Sequence, residues 1–411
     1  HLLQRIVLTM VNLSIKYGNS SLAAIGYVFY GTLLSGCMGD FDGGYQFGKL
    51  AEKILDKYPH LELECRVYAP FNVIIRHWKE HIRETIIPLM EGAKIGLIAG
   101  NLEYAGICSK DRCTHLFIIG EELEKVDAQF VNSLNLLREI KQEYSLYYAK
   151  IWRQLVLNLM GRVEDKYRLI GESFDEVEML PYLVETNNRT SVFSAYLAKG
   201  ILCYCFKDYA QSLENFELAV RYVEAAMGFA TVGTLNFYQS LAMLALYPTA
   251  ETCDSQSDPP KRNRAQILQQ VEANQEKMKQ WAYHAPMNYQ HKYDLVEAEK
   301  ARVLDNQLEA MNDYDRAIKG AAENGYIQEE ALAYELAGEF YQSLGKEIIA
   351  QAYMTKAYYA YIRWGAIAKV KDLESRYPYL VNRTKETTSK DITITATSTT
   401  MGNAFSLDLS T

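Results

Sequence analysis

The stretch Gly43-Gly44-Tyr45-Gln46-Phe47-Gly48-Lys49-Leu50 has the spacing of a phosphate-cradling loop, in which backbone amides and a lysine hold the phosphates of a nucleotide. The eighth position of that motif must be Ser or Thr to hold magnesium, and here it is Leu50. The motif also follows a buried strand, whereas Cys37 to Gly43 reads as a turn. Gly44 and Gly48 are accounted for as small residues at a helix contact, so the packing reading is preferred to nucleotide binding at Lys49.

His77-Trp78-Lys79-Glu80-His81 would put two imidazoles at i, i+4 on one helix face, a spacing that can bind zinc, with His115 or Cys113 as a third ligand from elsewhere. A zinc protease would need Glu directly after the first histidine, where Trp78 stands. The preferred reading is a wet helix face and no metal. Cys203 and Cys205 point to opposite sides of a helix, and Cys108 and Cys113 lack a partner pair. Seven cysteines at irregular spacing, several of them in apolar helical stretches (Cys37, Cys203, Cys205), suit buried reduced thiols in a cytoplasmic protein. The acidic runs Glu121-Glu122-Leu123-Glu124 and Glu297-Ala298-Glu299 read as solvated helix faces rather than catalytic carboxylates. The sequons at Asn12 and Asn188 read as chance matches. No residue is assigned as catalytic, cofactor-binding or metal-ligating.

Positioning such residues falls to helices. Nine prolines in 411 residues and scarce polar–apolar alternation favour helix throughout. The 31 tyrosines suit helix seams that are half apolar and half wet. Net charge is −8 and the basic residues are scattered among acids, which excludes a nucleic-acid footprint. No apolar run reaches the roughly 18 residues needed to cross a bilayer, so no membrane insertion is expected.

A two-helix unit recurs: small residues at the crossing point, a tight turn, then a small residue, a large one four later and Ala three after that. Five segments fit, with turns at Gly39-Asp40-Phe41, Gly100-Asn101-Leu102, Lys207-Asp208-Tyr209, Asp305-Asn306-Gln307 and Gly345. Helix axes about 8–10 Å apart need Gly, Ala or Ser where they cross. The last two units are about 40 residues apart, against about 34 in a standard TPR, so each helix should be about a turn longer. The fold class expected is all-α, a TPR-like α-α superhelix over 1–380. Residues 249–264, with Pro259-Pro260, read as a surface loop or hinge, and 381–411 as a Ser/Thr-rich flexible linker. The chain begins at His1 in mid-pattern and reads as a piece of a longer polypeptide.

Lys292-Tyr-Asp-Leu-Val-Glu-Ala-Glu-Lys-Ala-Arg302, Tyr314-Asp-Arg-Ala-Ile318, Glu323-Asn-Gly-Tyr-Ile-Gln-Glu-Glu-Ala331 and Ala368-Lys-Val-Lys-Asp-Leu-Glu-Ser-Arg-Tyr-Pro378 resemble the helical region of very large bacterial signalling proteins. Gly100-Asn-Leu-Glu-Tyr-Ala105 and Ala285-Pro-Met-Asn288 look like earlier parts of the same region. In that family a serine/threonine kinase and an AAA-like or STAND-type ATPase precede the TPR-like region, and a GAF domain and often a histidine kinase follow it. The resemblance implies a non-catalytic coupling module between such domains. ATP and magnesium would then belong to the missing domains and none to this fragment. The partners implied are proteins, intramolecular domains or a small-molecule inducer. Candidate groove residues are the aromatics Tyr30, Tyr196 and Tyr293 on the first helices of their pairs, with Arg302 as a polar anchor. The rival readings are a free-standing peptide-binding scaffold and a metal- or nucleotide-dependent enzyme at His77 and His81 or at Lys49.

Overall fold

In the computed structural model the described residues are 2–250 and 263–381, and among them there is no strand beyond a single bridge between Ile170 and Asp175. The hinge expected at 249–264 and the linker at 381–411 fall almost wholly outside the described residues. The first helices are α1 (Leu2–Tyr17), α2 (Ser21–Leu33), α3 (Phe41–Lys57) and α4 (Leu61–Pro70). An irregular stretch of π and 3-10 turns over Phe71–Ile75, Arg76–Trp78 and Ile82–Thr85 leads to α5 (Ile86–Ile98). Then come α6 (Leu102–Ile118), α7 (Leu123–Glu139), α8 (Glu143–Leu159) and, after a long loop, α9 (Glu176–Glu185). The chain continues through α10 (Arg189–Cys205), α11 (Tyr209–Val220), α12 (Ala230–Leu246) and α13 (Arg264–His284). It closes with α14 (Pro286–Val303), α15 (Gln307–Asn324), α16 (Ile327–Ser343), α17 (Glu347–Trp364) and α18 (Ile367–Arg376).

The five pairs expected from the sequence are the five most extensively packed helical hairpins: α2–α3, α5–α6, α10–α11, α14–α15 and α16–α17. Their turns share one chemistry. A residue in the left-handed region ends the first helix (Gly39, Gly100, Lys207, Asp305 or Gly345), and the next residue starts the second. Asp208 shows both halves of the device. Its amide donates back to the Cys203 carbonyl at 2.9 Å, and its carboxylate accepts from the Gln211 amide at 3.1 Å.

The small residues sit where axes cross. A methyl group on Gly200 would lie 2.3 Å from the Phe216 ring, and the Ser212 hydroxyl donates to the Gly200 carbonyl at 2.9 Å. On Gly44 it would strike the Ser35 side chain and the Gly31 carbonyl, which accounts for this glycine as a packing residue. In the last pair Leu332, Leu336 and Phe340 form one buried row and Ala333, Ala337 and Tyr341 the next. These later helices are 17 or 18 residues long, which accounts for the long repeat.

Two expectations need correction. Ser21–Met38 is long and apolar enough, by length and composition, to span a bilayer. Half of it is buried inside the fold, where Ala24, Tyr27 and Val28 pack with Ala51, Leu63 and Phe71. The second correction concerns neighbours. A simple solenoid touches only adjacent units, but here the C-terminal hairpins return along the earlier helices. Gln328 donates to the Ile118 carbonyl at 2.7 Å, Lys166 pairs with Asp372 at 2.9 Å, and His77 meets the Tyr289 hydroxyl at 2.9 Å. One continuous apolar core accordingly runs from Phe41 to Leu380.

Candidate binding groove

The helices α10, α12, α14 and α16 converge on a cavity of ≈ 210 Å³, with Tyr204, Tyr209, Glu299, Arg302, Glu339 and Phe340 among its lining. Arg302 reaches it from the last turn of α14. Its guanidinium chelates Glu299 through Nε at 3.0 and 3.1 Å and Nη2 at 2.6 Å, and the Tyr314 hydroxyl donates to the same carboxylate. Glu299 holds the arginine further up its already high range, against the opposing effect of burial. Glu299 is therefore not on a solvated face: it is buried, at 3% exposure, with its carboxylate held between Arg302 and the Tyr314 hydroxyl of α15.

Beside the cavity lies a cluster of charges around Glu335, which is fully buried on α16. Its carboxylate meets Lys369 and Arg376 at 2.9 Å, Lys207 at 3.1 Å, and accepts from the Tyr361 hydroxyl at 2.9 Å. Burial alone would raise its pKa, but the three cations hold it well below the carboxylate range. Burial likewise opposes the charge on Lys207, and Glu335 and Glu339 keep its pKa well above the ordinary lysine value. Lys207 supplies the left-handed turn residue of α10–α11, so one residue both turns the chain and ties that pair to α16. Tyr209, at the rim, has its hydroxyl pushed up to about 12, first by burial. The arrangement can hold a partner's side chain between aromatic walls and fixed charges of both signs.

Of the four groove residues expected from the sequence, Arg302 lines this cavity. Tyr30 instead stands edge-on to Phe47 with ring centroids 4.7 Å apart, and Tyr196 stacks on Tyr222 at 6.2 Å. Tyr293 is half-buried, and its carbonyl accepts from Gln275 at 3.0 Å. The sequence reading missed Tyr204, Tyr209, Glu335 and Glu339. The spacing Glu335, Glu339 on one row and Lys369, Asp372, Arg376 on another was the available signal, since each set shares a helix face.

The histidine pair is not on one helix face. His77 sits in a 3-10 turn, fully buried, and His81 caps the next turn. His77 donates from Nε2 to the Gly228 carbonyl at 2.8 Å and accepts at Nδ1 from the Tyr289 hydroxyl at 2.9 Å. His81 accepts at Nδ1 from the Arg83 amide and bonds the Asn324 carbonyl through Nε2, both at 2.9 Å. His115 is tied to Thr85 at 2.7 Å, and Cys113 is buried with its thiol pushed up to about 12. Among the described residues no group of three His, Cys, Asp or Glu is placed to hold a metal ion. Gly43 to Lys49 lies inside α3, and Lys49 pairs with Glu52 at 2.5 Å. Cys37 is exposed, contrary to expectation, because it lies in the π turn Leu34–Met38 just before the chain leaves the core. Cys203 is buried as expected, and Asn188 is a buried helix cap accepting from the Ser191 amide.

No family model matches the chain. Over 57 residues, 14% of its length, it is 40% identical to hybrid signal transduction histidine kinase G of Dictyostelium discoideum. That stretch spans 2% of the kinase, so the chain corresponds to a small fraction of that protein.

Proposed function

We propose that the chain is a non-catalytic interaction and coupling module of a multidomain signal-transduction kinase. In this reading it is a TPR-like helical repeat, cytoplasmic, placed between an upstream ATPase or kinase and downstream sensor domains. Its partner is a protein segment or another domain of the same polypeptide. ATP and magnesium serve those other domains. The observation that carries the reading is the cavity at Arg302, to which alternate helices of successive hairpins each bring a side chain. The partial likeness to a hybrid histidine kinase supports the signalling context.

Occupation of the groove would favour one spacing of α10, α14 and α16 over another, and the helices would pass that preference to the flanking domains. A partner does this only through unequal affinity for the two states. The test uses the parent polypeptide with Ser343→Trp, which fills the cavity mouth and leaves the Glu335 cluster untouched. Stimulus-dependent phosphorylation should be lost while the thermal melt stays at the wild-type value. Unchanged phosphorylation would remove the coupling role. A parent sequence with no kinase or ATPase domain would leave a free-standing peptide-binding scaffold.

A further inference from the structure

A second cavity, of ≈ 490 Å³, lies away from the groove, among α4, α6, α8 and the Phe229 turn. Its volume falls in the ordinary range of small-molecule sites, about 300–1,000 Å³. The walls are apolar and include four aromatic rings, those of Phe29, Tyr104, Tyr144 and Phe229. At one side stand Lys110 and Asp111, successive residues of α6, 3% and 2% exposed.

A buried ion pair is a poor source of stability, since the loss of hydration roughly cancels the attraction. The hydrogen-bond accounting of this pair is lopsided. Lys110 donates to both oxygens of Asp111 at 2.8 Å, and its ammonium also lies 4.0 Å from the centroid of the Tyr148 ring. Its three hydrogens are thereby engaged. Asp111 accepts one hydrogen at each oxygen and, among the described residues, only from Lys110. A carboxylate has about four acceptor positions, so the unmet demand in this cavity is for a donor. Glu103, at the exposed side of the lining, adds a second negative charge, which leaves the walls with one net negative charge. Aromatic faces favour a cation.

We infer that this cavity binds a small organic ammonium ion with an apolar body. The head donates to Asp111 and the body lies among the rings. An anionic ligand would have to displace Asp111 from Lys110 and would meet Glu103 on entry. The site is independent of the groove at Arg302, so either can fail without the other.

The test is calorimetric titration of the 411-residue chain with 2-phenylethylammonium, using 3-phenylpropionate and 2-phenylethanol as probes of matched shape. The ammonium should saturate one site, the alcohol should bind at least about tenfold more weakly, and the acid should not bind. Asp111→Asn should weaken the ammonium by about tenfold or more. Because that change leaves Lys110 buried without its partner, Ile107→Trp is the companion variant: it fills the cavity, keeps the ion pair, and should abolish binding with the melt unchanged. No saturable binding of the ammonium, equal or tighter binding of the acid, or full binding to a folded Ile107→Trp protein would each overturn the assignment.

Discussion

Two buried residues hold far more of this molecule together than their size suggests. Asn288 uses every polar position it has. Its amide donates to the carbonyls of His77 at 2.7 Å and Glu80 at 2.8 Å, and its oxygen accepts from the Ile82 amide at 3.1 Å and the Tyr326 hydroxyl at 2.8 Å. Three of these partners, at His77, Glu80 and Ile82, are backbone groups of the irregular 71–85 stretch, which has no regular helix to satisfy them. The fourth, Tyr326, caps α16. Asn288→Ala strands several buried groups at once and should cost about 3 kcal/mol or more in urea unfolding. Asn288→Asp, the same shape without the amide donors, should fail similarly. Glu335 is the second case. Replacing it with Gln leaves Lys369, 2% exposed, with only the Asp372 carboxylate at 3.9 Å, while Lys207 and Arg376 keep Glu339 at 3.0 and 3.1 Å. The expected loss is about 3–5 kcal/mol. A loss below about 0.5 kcal/mol would mean that these cations are solvated rather than paired.

Helix hairpins were largely readable from residue types, and the reasons are local. Small residues at Gly200 and Ser212, a large one at Phe216 and a polar turn at Lys207-Asp208 all act within one pair, so spacing along the chain reports them. Two turns outside the five went unread. Lys141 and Asn187 take the left-handed conformation at the ends of α7 and α9, and of these two residue types only Asn favours it. The long loop after α8 was missed for a different reason. It is held by Asn158, which donates to the Arg168 carbonyl at 2.7 Å, and by Gln154, which accepts from the Ser173 and Phe174 amides. Nothing in those two side chains marks them as anchors until the fold places the loop over them. Of the groove residues expected from the sequence only Arg302 lines the cavity, and its partner Glu299, three positions away, was read as part of a solvated face. The Glu335 cluster joins the α10–α11 turn to α16, α17 and α18. Its local trace was only the same-face spacing of charges within α16 and within α18, which does not say that the two faces meet. Asp305 offers a test of the turn chemistry at the level of the element. It holds φ 60 at the end of α14, a conformation that costs a residue with a side chain roughly 1 kcal/mol. Asp305→Gly should therefore stabilise the protein by up to about that amount, seen as a higher melting temperature. A lower one would show that the Asp305 side chain contributes more than its backbone strain costs.

At the scale of the molecule, the return of the C-terminal hairpins onto the earlier helices should make unfolding one cooperative event instead of a unit-by-unit unravelling. Three buried histidines stand at or near that closure and give it a pH signature. His77 joins Gly228 and Tyr289, His115 joins Thr85, and His291 meets Glu329 and Lys292 with His81 nearby. Burial holds His77 and His291 down to about 4 and His115 to about 3. Above the ordinary imidazole value of about 6.5, neither the folded nor the unfolded chain binds these protons, and the histidines leave stability unchanged with pH. As pH falls from about 6.5 toward 4, the unfolded chain takes up protons that the folded chain refuses, and stability declines. Each such proton contributes a slope of about 1.4 kcal/mol per pH unit within that window. Asp313, raised to about 6 chiefly by burial, works in the opposite sense and offsets about one of the three. Glu329 and Glu335, both held low by neighbouring cations, add their own losses only below the ordinary glutamate range. The measurement is urea unfolding between pH 4.5 and 7.5, comparing wild type with His77→Gln. The variant will lose stability at every pH, since Tyr289 and Gly228 lose a well-placed partner. Its slope between about pH 5 and 6 should nevertheless be shallower by about one proton. Equal slopes would show that His77 takes up its proton inside the folded protein, and that the contact between the 71–85 stretch and α14 opens to water before the rest of the chain unfolds.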